Sequence, residues 1–245
     1  MNVKQAANVL DLLEFFAKHR QPATLAEVSK QLEWPRSSTF NLLGTLAARG
    51  FLYEPRARGG YYPSPLWFSL LQQIESAEPI PEQLRELLHA LVQRTGETAV
   101  LAASSSAYAV FLDVVESPHA IRYTASPGKL VPLHVTATGR VLLSQMTTAE
   151  RSAVLRRANF ERYTPSTLMS VAAVEKEIQR SLERGWFEGN AEFTPDLGGV
   201  ALPLKMPHRQ FALLLAGPMF RVGERAKELV EAMKGEIERH LGNPK

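Results

Sequence analysis

Residues 24–50 read TLAEVSKQLEWPRSSTFNLLGTLAARG. Thr24-Leu25-Ala26-Glu27 has the form of a capping box, in which the Thr24 hydroxyl accepts from the Glu27 N–H and the Glu27 carboxylate reaches back to the helix start. A short helix is therefore predicted from there to about Leu32. Glu33-Trp34 leaves only a tight connection. Pro35 suits the first position of a further helix, where its missing N–H has no bond to lose. That helix carries Phe40, Leu42, Leu43, Leu46 and Ala47 as its apolar side, and Gly50 ends it with a left-handed cap. A short helix, a three- to four-residue turn and a second helix make a helix-turn-helix.

The flanks complete the unit. Upstream, Ala6, Ala7, Val9, Leu10, Leu12, Leu13, Phe15, Phe16 and Ala17 recur at helical spacing, so residues 3–19 are predicted to be an amphipathic helix that Gln21-Pro22 ends. Downstream, Phe51-Leu52-Tyr53-Glu54 and Gly60-Tyr61-Tyr62-Pro63 read as strands around Pro55-Arg56-Ala57-Arg58-Gly59, a hairpin wing holding two arginines. In a winged helix of this kind the third helix enters the major groove by its N-terminal end. Arg36 is placed for a phosphate or a guanine, and Ser37 and Ser38 are small enough for close approach. Arg56 and Arg58 are placed for the backbone or a neighbouring minor groove. On the sequence alone the two serines also fit as merely exposed or capping hydroxyls.

The charge pattern agrees with a polyanion partner. Residues 1–65 hold eight basic and five acidic side chains, so the whole net charge of +3 lies in the first quarter of the chain. No apolar run approaches the ~18 residues of a membrane span, and the first residues lack the pattern of a signal peptide; a cytoplasmic location with no membrane partner is expected. The chain has no cysteine, which excludes disulfides, thiolate metal sites and cysteine nucleophiles. The six histidines include no i, i+4 pair, and there is no Gly-x-Ser-x-Gly elbow, phosphate loop or dinucleotide fingerprint. No catalytic residue, metal or cofactor is expected.

Beyond Ser64-Pro65, Leu66, Trp67, Phe68, Leu70, Leu71 and Ile74 form an apolar helical stripe that must pack on its own chain or on a twin. Glu78-Pro79-Ile80-Pro81 reads as a hinge. The expected organisation is a DNA-binding domain over residues 1–64, a linker helix and hinge over 65–80, and a second domain over 81–245. In the second domain, helices are expected at 82–94, 138–145, 149–158, 171–185 and 223–241. Strands are expected at 98–103, 109–115, 120–124, 200–204 and 210–216, the last two joined by a turn near His208. Strands interrupted by helices, with hairpin connections, predict an α+β domain with a mainly antiparallel sheet.

Several segments in a fixed order resemble the IclR family of bacterial transcriptional regulators. They are Ala7-Asn8-Val9-Leu10-Asp11-Leu12-Leu13, Trp34-Pro35-Arg36-Ser37-Ser38-Thr39-Phe40-Asn41-Leu42-Leu43, Thr95-Gly96-Glu97-Thr98, Val115-Glu116-Ser117-Pro118, Pro132-Leu133-His134-Val135-Thr136-Ala137-Thr138-Gly139-Arg140, Glu183-Arg184-Gly185-Trp186 and Ala216-Gly217-Pro218. The resemblance implies a mixed α/β chain: an N-terminal winged helix-turn-helix and a C-terminal α+β effector-binding domain of GAF or profilin-like fold. It further implies a homo-oligomer (a dimer or a dimer of dimers) whose linker helix helps pair the DNA-binding domains on a (pseudo)palindromic double-stranded operator, and a small-molecule effector. Two positions depart from the family. Thr39 stands where an apolar β-branched residue is usual, and Asn41 stands where a basic residue is common. Asn pairs with adenine, so a shifted operator preference is expected.

Residues 133–139 run into a helix start, where small residues expose backbone N–H groups and the helix end favours an anion. An ordinary capped helix fits the same residues; the resemblance assigns them to the effector loop, with His134, Thr136, Ala137, Thr138 and Gly139 as contacts and Lys129 on the preceding rim. The opposite wall, at Gly189, Gly199, Leu214 and Ala216, has lost polar groups that relatives carry there. The expected effector is thus a carboxylate with an apolar or aromatic body, or the pocket takes no effector at all. Two other functions stay open on the sequence: a protein-interaction adaptor with a winged helix that does not bind DNA, and an enzyme acting on a small acid with His134 as base.

Overall fold

The computed structural model describes residues 3–56, 59–77, 80–207 and 209–242. Two compact units divide it, Met1–Pro79 and Ile80–Lys245.

In the first unit, α1 (Lys4–His19), α2 (Leu25–Gln31) and α3 (Arg36–Ala48) are followed by the two-stranded hairpin β1 (Leu52–Tyr53) and β2 (Tyr62–Pro63), then by α4 (Leu66–Ala77). Both halves of the Thr24–Glu27 capping box are made. The turn between α2 and α3 closes tightly. Ser29 Oγ donates to the Trp34 carbonyl at 2.7 Å, the Trp34 N–H returns to the Ser29 carbonyl at 3.0 Å, and Glu33 takes φ 54°. Pro35 caps α3 rather than opening it, and Arg36 is the first helical residue. Leu12, Phe16, Val28, Leu43, Leu46 and Leu52 form the core, each pointing inward from a different turn or strand. The wing is tied back through an isolated antiparallel bridge, Ala23 to Tyr61. Gly60 makes that bridge possible: its φ is +87°, and a Cβ there would lie 2.4 Å from the Ala23 carbonyl carbon.

The second unit is a six-stranded antiparallel sheet in the order β5-β4-β3-β8-β7-β6. The strands are β3 (Thr98–Ser105), β4 (Tyr108–Val115), β5 (Leu130–Pro132), β6 (Phe187–Asn190), β7 (Leu197–Met206) and β8 (Arg209–Pro218). The helices are α5 (Glu82–Thr95), α6 (Ala137–Ser144), α7 (Thr148–Arg157), α8 (Val171–Arg184), the single turn α9 (Met219–Val222) and α10 (Ala226–Leu241). Alternation along the strands builds two cores. Ala99, Leu101, Val200, Leu213 and Leu215 face the apolar stripes of α5 and α10, including Leu88, Leu91 and Met233. Val100, Ala102, Ala201, Leu214 and Ala216 face Val141 of α6 and Ile178 of α8. Both sheet faces are covered, which explains why β3, β7 and β8 read as nearly continuous apolar runs.

Three expectations are corrected. Residues 120–124 form no strand, because both edges of β3 are already taken by β4 and β8. Side chains hold that segment instead: Thr98 Oγ1 donates to the Tyr123 carbonyl at 2.6 Å, and Arg221 reaches the Ile121 carbonyl at 3.1 Å. β5 and β6 are edge strands with little alternation to announce them; they exist because β4 and β7 offer free edges. The last helix, expected from Gly223, starts at Ala226, and the single turn α9 precedes it as an element the sequence did not announce. The expected hinge residues Glu78 and Pro79, and His208 between β7 and β8, lie outside the described residues.

Candidate functional site

The exposed surface of α3 is a stripe. Arg36, Ser37, Ser38, Phe40, Asn41, Gly44 and Thr45 face outward, while Thr39, Leu43 and Leu46 face the core. Residues three and four apart stack on one helix face, so Arg36, Phe40 and Gly44 form one row and Ser37, Asn41 and Thr45 the next. The N–H groups of residues 36–38 have no backbone acceptor among the described residues, since the first bond of this end runs from Thr39 to Pro35. Pro35 supplies no side-chain cap, and no hydrogen bond within the described residues ties down the hydroxyls of Ser37 and Ser38. They are therefore exposed groups and not caps. Thr39 is fully buried and spends its hydroxyl on the Pro35 carbonyl at 3.1 Å, so this departure from the family is internal. Phe40 was expected in the core, yet it is 63% exposed in the middle of the stripe. Apolar periodicity assigned it inward because a helical run of Phe40, Leu42 and Leu43 spans more of the circumference than the core can cover. Arg56 is exposed on the wing; Arg58 lies outside the described residues.

A cavity of about 60 Å³ opens in the second unit between the start of α6, the ring of Tyr123 and the strands β6 and β7. Thr136, Ala137 and Thr138 line it, and so do Gly189, Gly199, Leu214 and Ala216, so seven residues singled out by sequence meet at one place. Thr136 caps α6: its hydroxyl accepts from the Gly139 N–H at 3.0 Å and donates to the Pro132 carbonyl at 3.1 Å. The N–H groups of Ala137 and Thr138 have no backbone acceptor, and the Thr138 hydroxyl, on a residue only 1% exposed, has no partner among the described residues. The rest of the wall is largely apolar, with Phe111, Val131, Phe193 and Leu197.

One wall group escaped the sequence reading. Glu192 is 8% exposed and lines the cavity. Its Oε1 accepts from Arg140 Nη2 at 2.9 Å, and its Oε2 accepts from the Asn190 N–H. Arg140, on α6, is wholly buried; Nη2 also donates to the Glu188 carbonyl, while Nε and Nη1 have no partner. Thr167 donates to the Glu192 carbonyl at 2.7 Å and fixes the backbone. The alternation rule could not find this residue, because Glu192 sits in an irregular turn beyond β6.

Three other expected contacts are placed off the wall. Lys129 carries its ammonium 4.8 Å over the Tyr123 ring, so it touches the cavity only through that ring. Burial lowers the Lys129 ammonium and pushes the Tyr123 phenol up to about 12. His134 turns away and packs on Phe160, with ring centres 4.6 Å apart; neither ring nitrogen has a partner, and burial holds its imidazole below the ordinary range. It is 2% exposed and is not among the residues lining the cavity. Gly139 is structural, since a Cβ there would strike the Leu133 carbonyl.

On α4, Trp67 is anchored on its own unit, its ring tilted against Phe51 with centres 4.5 Å apart and its N–H donating to the Phe51 carbonyl at 2.9 Å. Phe68, Leu71 and Ile74 are 66%, 62% and 69% exposed. No helix among the described residues is long and apolar enough to cross a membrane, and no cluster of metal-ligating side chains occurs among them.

Comparison with known proteins places these features. Residues 5–56 match the IclR helix-turn-helix domain, and residues 72–237 match the bacterial transcriptional regulator IclR C-terminal domain. The HTH-type transcriptional regulator BhcR of Paracoccus denitrificans is 29% identical over 202 residues, covering 82% of this chain and 72% of its own. The acetate operon repressor of Salmonella typhimurium is 27% identical over 232 residues, covering 93% and 85%. The crystal structure of the Thermotoga maritima IclR superposes with a TM-score of 0.76 at 20% identity, covering 99% of this chain and all of that one.

Proposed function

Because this chain belongs to the IclR family of bacterial transcriptional regulators, we propose that it is a sequence-specific DNA-binding regulator whose α3 stripe reads an operator and whose cavity admits a small acid. The observation that carries the DNA reading is the stripe itself. Arg36, Ser37, Ser38 and Asn41 stand together with three open N–H groups at the helix start, and no intramolecular partner occupies them. In the major groove, the N–H groups and Arg36 take phosphate or guanine, and Asn41 takes adenine. Arg56 and Arg58 on the wing take the backbone or the minor groove.

The exposed row Phe68, Leu71 and Ile74 supports pairing of two chains through α4, which sets two reading helices on the half-sites of a (pseudo)palindrome. The effector reading rests on the N–H groups of Ala137 and Thr138, which have no backbone acceptor among the described residues and belong to residues lining a largely apolar cavity; they suit one carboxylate. A ligand that prefers one arrangement of the second unit shifts operator affinity; a coupling of ~1–3 kcal/mol suffices.

The test is direct. DNA selected by the protein from a random pool is titrated at several salt concentrations. A triple variant of Arg36, Arg56 and Arg58 to Ala should bind it weakly, with a log–log salt slope reduced by ~2–3. An adaptor that does not bind DNA would enrich no sequence from the pool.

A further inference from the structure

The cavity already contains a carboxylate. Glu192 Oε1 and Oε2 each accept one bond from the chain, from Arg140 Nη2 and from the Asn190 N–H. A carboxylate has about four acceptor sites, so two are left. Its charge is met by the buried Arg140 guanidinium, so what the cavity lacks is a hydrogen-bond donor and not a further cation. Gly189 lies between Glu192 and α6: a methyl built there would lie 3.9 Å from Glu192 Oε2 and 3.7 Å from Ala137 Cβ. The open acceptor sites and the open N–H groups of Ala137 and Thr138 therefore lie within the length of one small molecule.

We infer that the effector is a small 2-hydroxy acid, with its carboxylate on the Ala137 and Thr138 N–H groups and its hydroxyl donating to Glu192. This inference rests on the reading of the cavity as the effector site. A plain acid of the same size would bury the free Glu192 acceptor sites with nothing to satisfy them, and an unmet buried acceptor is costly. A site with a fixed hydrogen-bonding group rejects analogues that lack the matching one. The Thr138 hydroxyl, on a residue lining the cavity, is likewise without a partner among the described residues and is a further donor for the ligand.

The experiment is a thermal-shift and calorimetric titration of the full chain with lactate, 2-methoxypropionate and propionate. Lactate should bind ~10-fold or more tightly than both of the others, the size of one unmet buried hydrogen bond. The double variant R140M/E192M replaces the buried ion pair with apolar side chains, a change often tolerated; it should bind lactate and propionate alike. G189A keeps ordinary contact distances, so it should fold, and its methyl should screen Oε2 and weaken lactate more than propionate. Equal binding of lactate and propionate by the parent chain overturns the inference and leaves the cavity as an effector site for plain acids. Lactate preference that survives unchanged in both variants overturns the role of Glu192. Silence from all three acids would remove the effector reading as well.

Discussion

Glu97 and Arg221, 124 residues apart, meet in a two-pronged ion pair: Arg221 Nη2 donates to Glu97 Oε2 at 2.8 Å and Nε donates to Oε1. Glu97 is fully buried, whereas the Arg221 side chain keeps 18% of its surface. Arg225 stands second, 3.7 Å from Oε1. The pair ties the turn after α5 to α9, just beyond β8, and so closes the end of the sheet nearest the glycine-rich strands.

The unequal burial predicts unequal costs. R221A strands a buried carboxylate with only Arg225 near it and should cost ~3–5 kcal/mol in denaturant melts. E97A leaves two arginines that can turn toward water, and should cost less. G217A should also be harmful, because its methyl would lie 2.2 Å from Glu97 Oε2. Equal costs for R221A and E97A would contradict the account.

His134 predicts acid sensitivity. Burial holds its imidazole below the ordinary range, so the folded chain keeps it neutral while the unfolded chain takes a proton below about pH 6.5. The contribution to stability is complete above that pH and falls as pH drops, by at most ~1.4 kcal/mol per unit for one group. H134L loses no hydrogen bond, since neither ring nitrogen has one. It should be within ~1 kcal/mol of the parent at pH 7.5 and should flatten the decline in melting temperature between pH 6.5 and 5.

Phe40 predicts sensitivity to a methyl group in DNA. An exposed aromatic ring on a reading helix suits the thymine C5-methyl. In the selected operator, one thymine per half-site replaced by uracil should weaken the parent chain by ~5- to 10-fold and leave F40A unaffected. Asn41→Ala should relax selection at a neighbouring adenine. An unchanged preference in N41A would sink that assignment.

The α4 stripe predicts a change in assembly. Phe68→Ser with Ile74→Ser removes two exposed apolar groups and no buried one, so secondary structure should persist. Sedimentation should then show a weaker or lost oligomer, and operator affinity should fall because a single half-site is read at a time.

Much of the first unit was legible in the sequence because its signals are local. A capping box needs only four residues, the turn between α2 and α3 is closed by bonds between Ser29 and Trp34, and Gly50 stops α3 by its own conformation. The continuous apolar runs of β3 and β8 also announced strands covered on both faces. Phe40 was misplaced because periodicity counts apolar residues without knowing how wide the facing core is.

What the sequence by itself determined is therefore the winged helix, the helices other than the single turn α9, and the strands β3, β4, β7 and β8, since backbone propensity and apolar spacing act over a few residues. The tertiary structure alone decided the rest. It brought Glu192 opposite Ala137, sealed His134 away from the cavity and paired Arg140 with a residue 52 positions later. Such contacts depend on which sheet edge is free and which face an irregular turn presents, and those are properties of the packed whole.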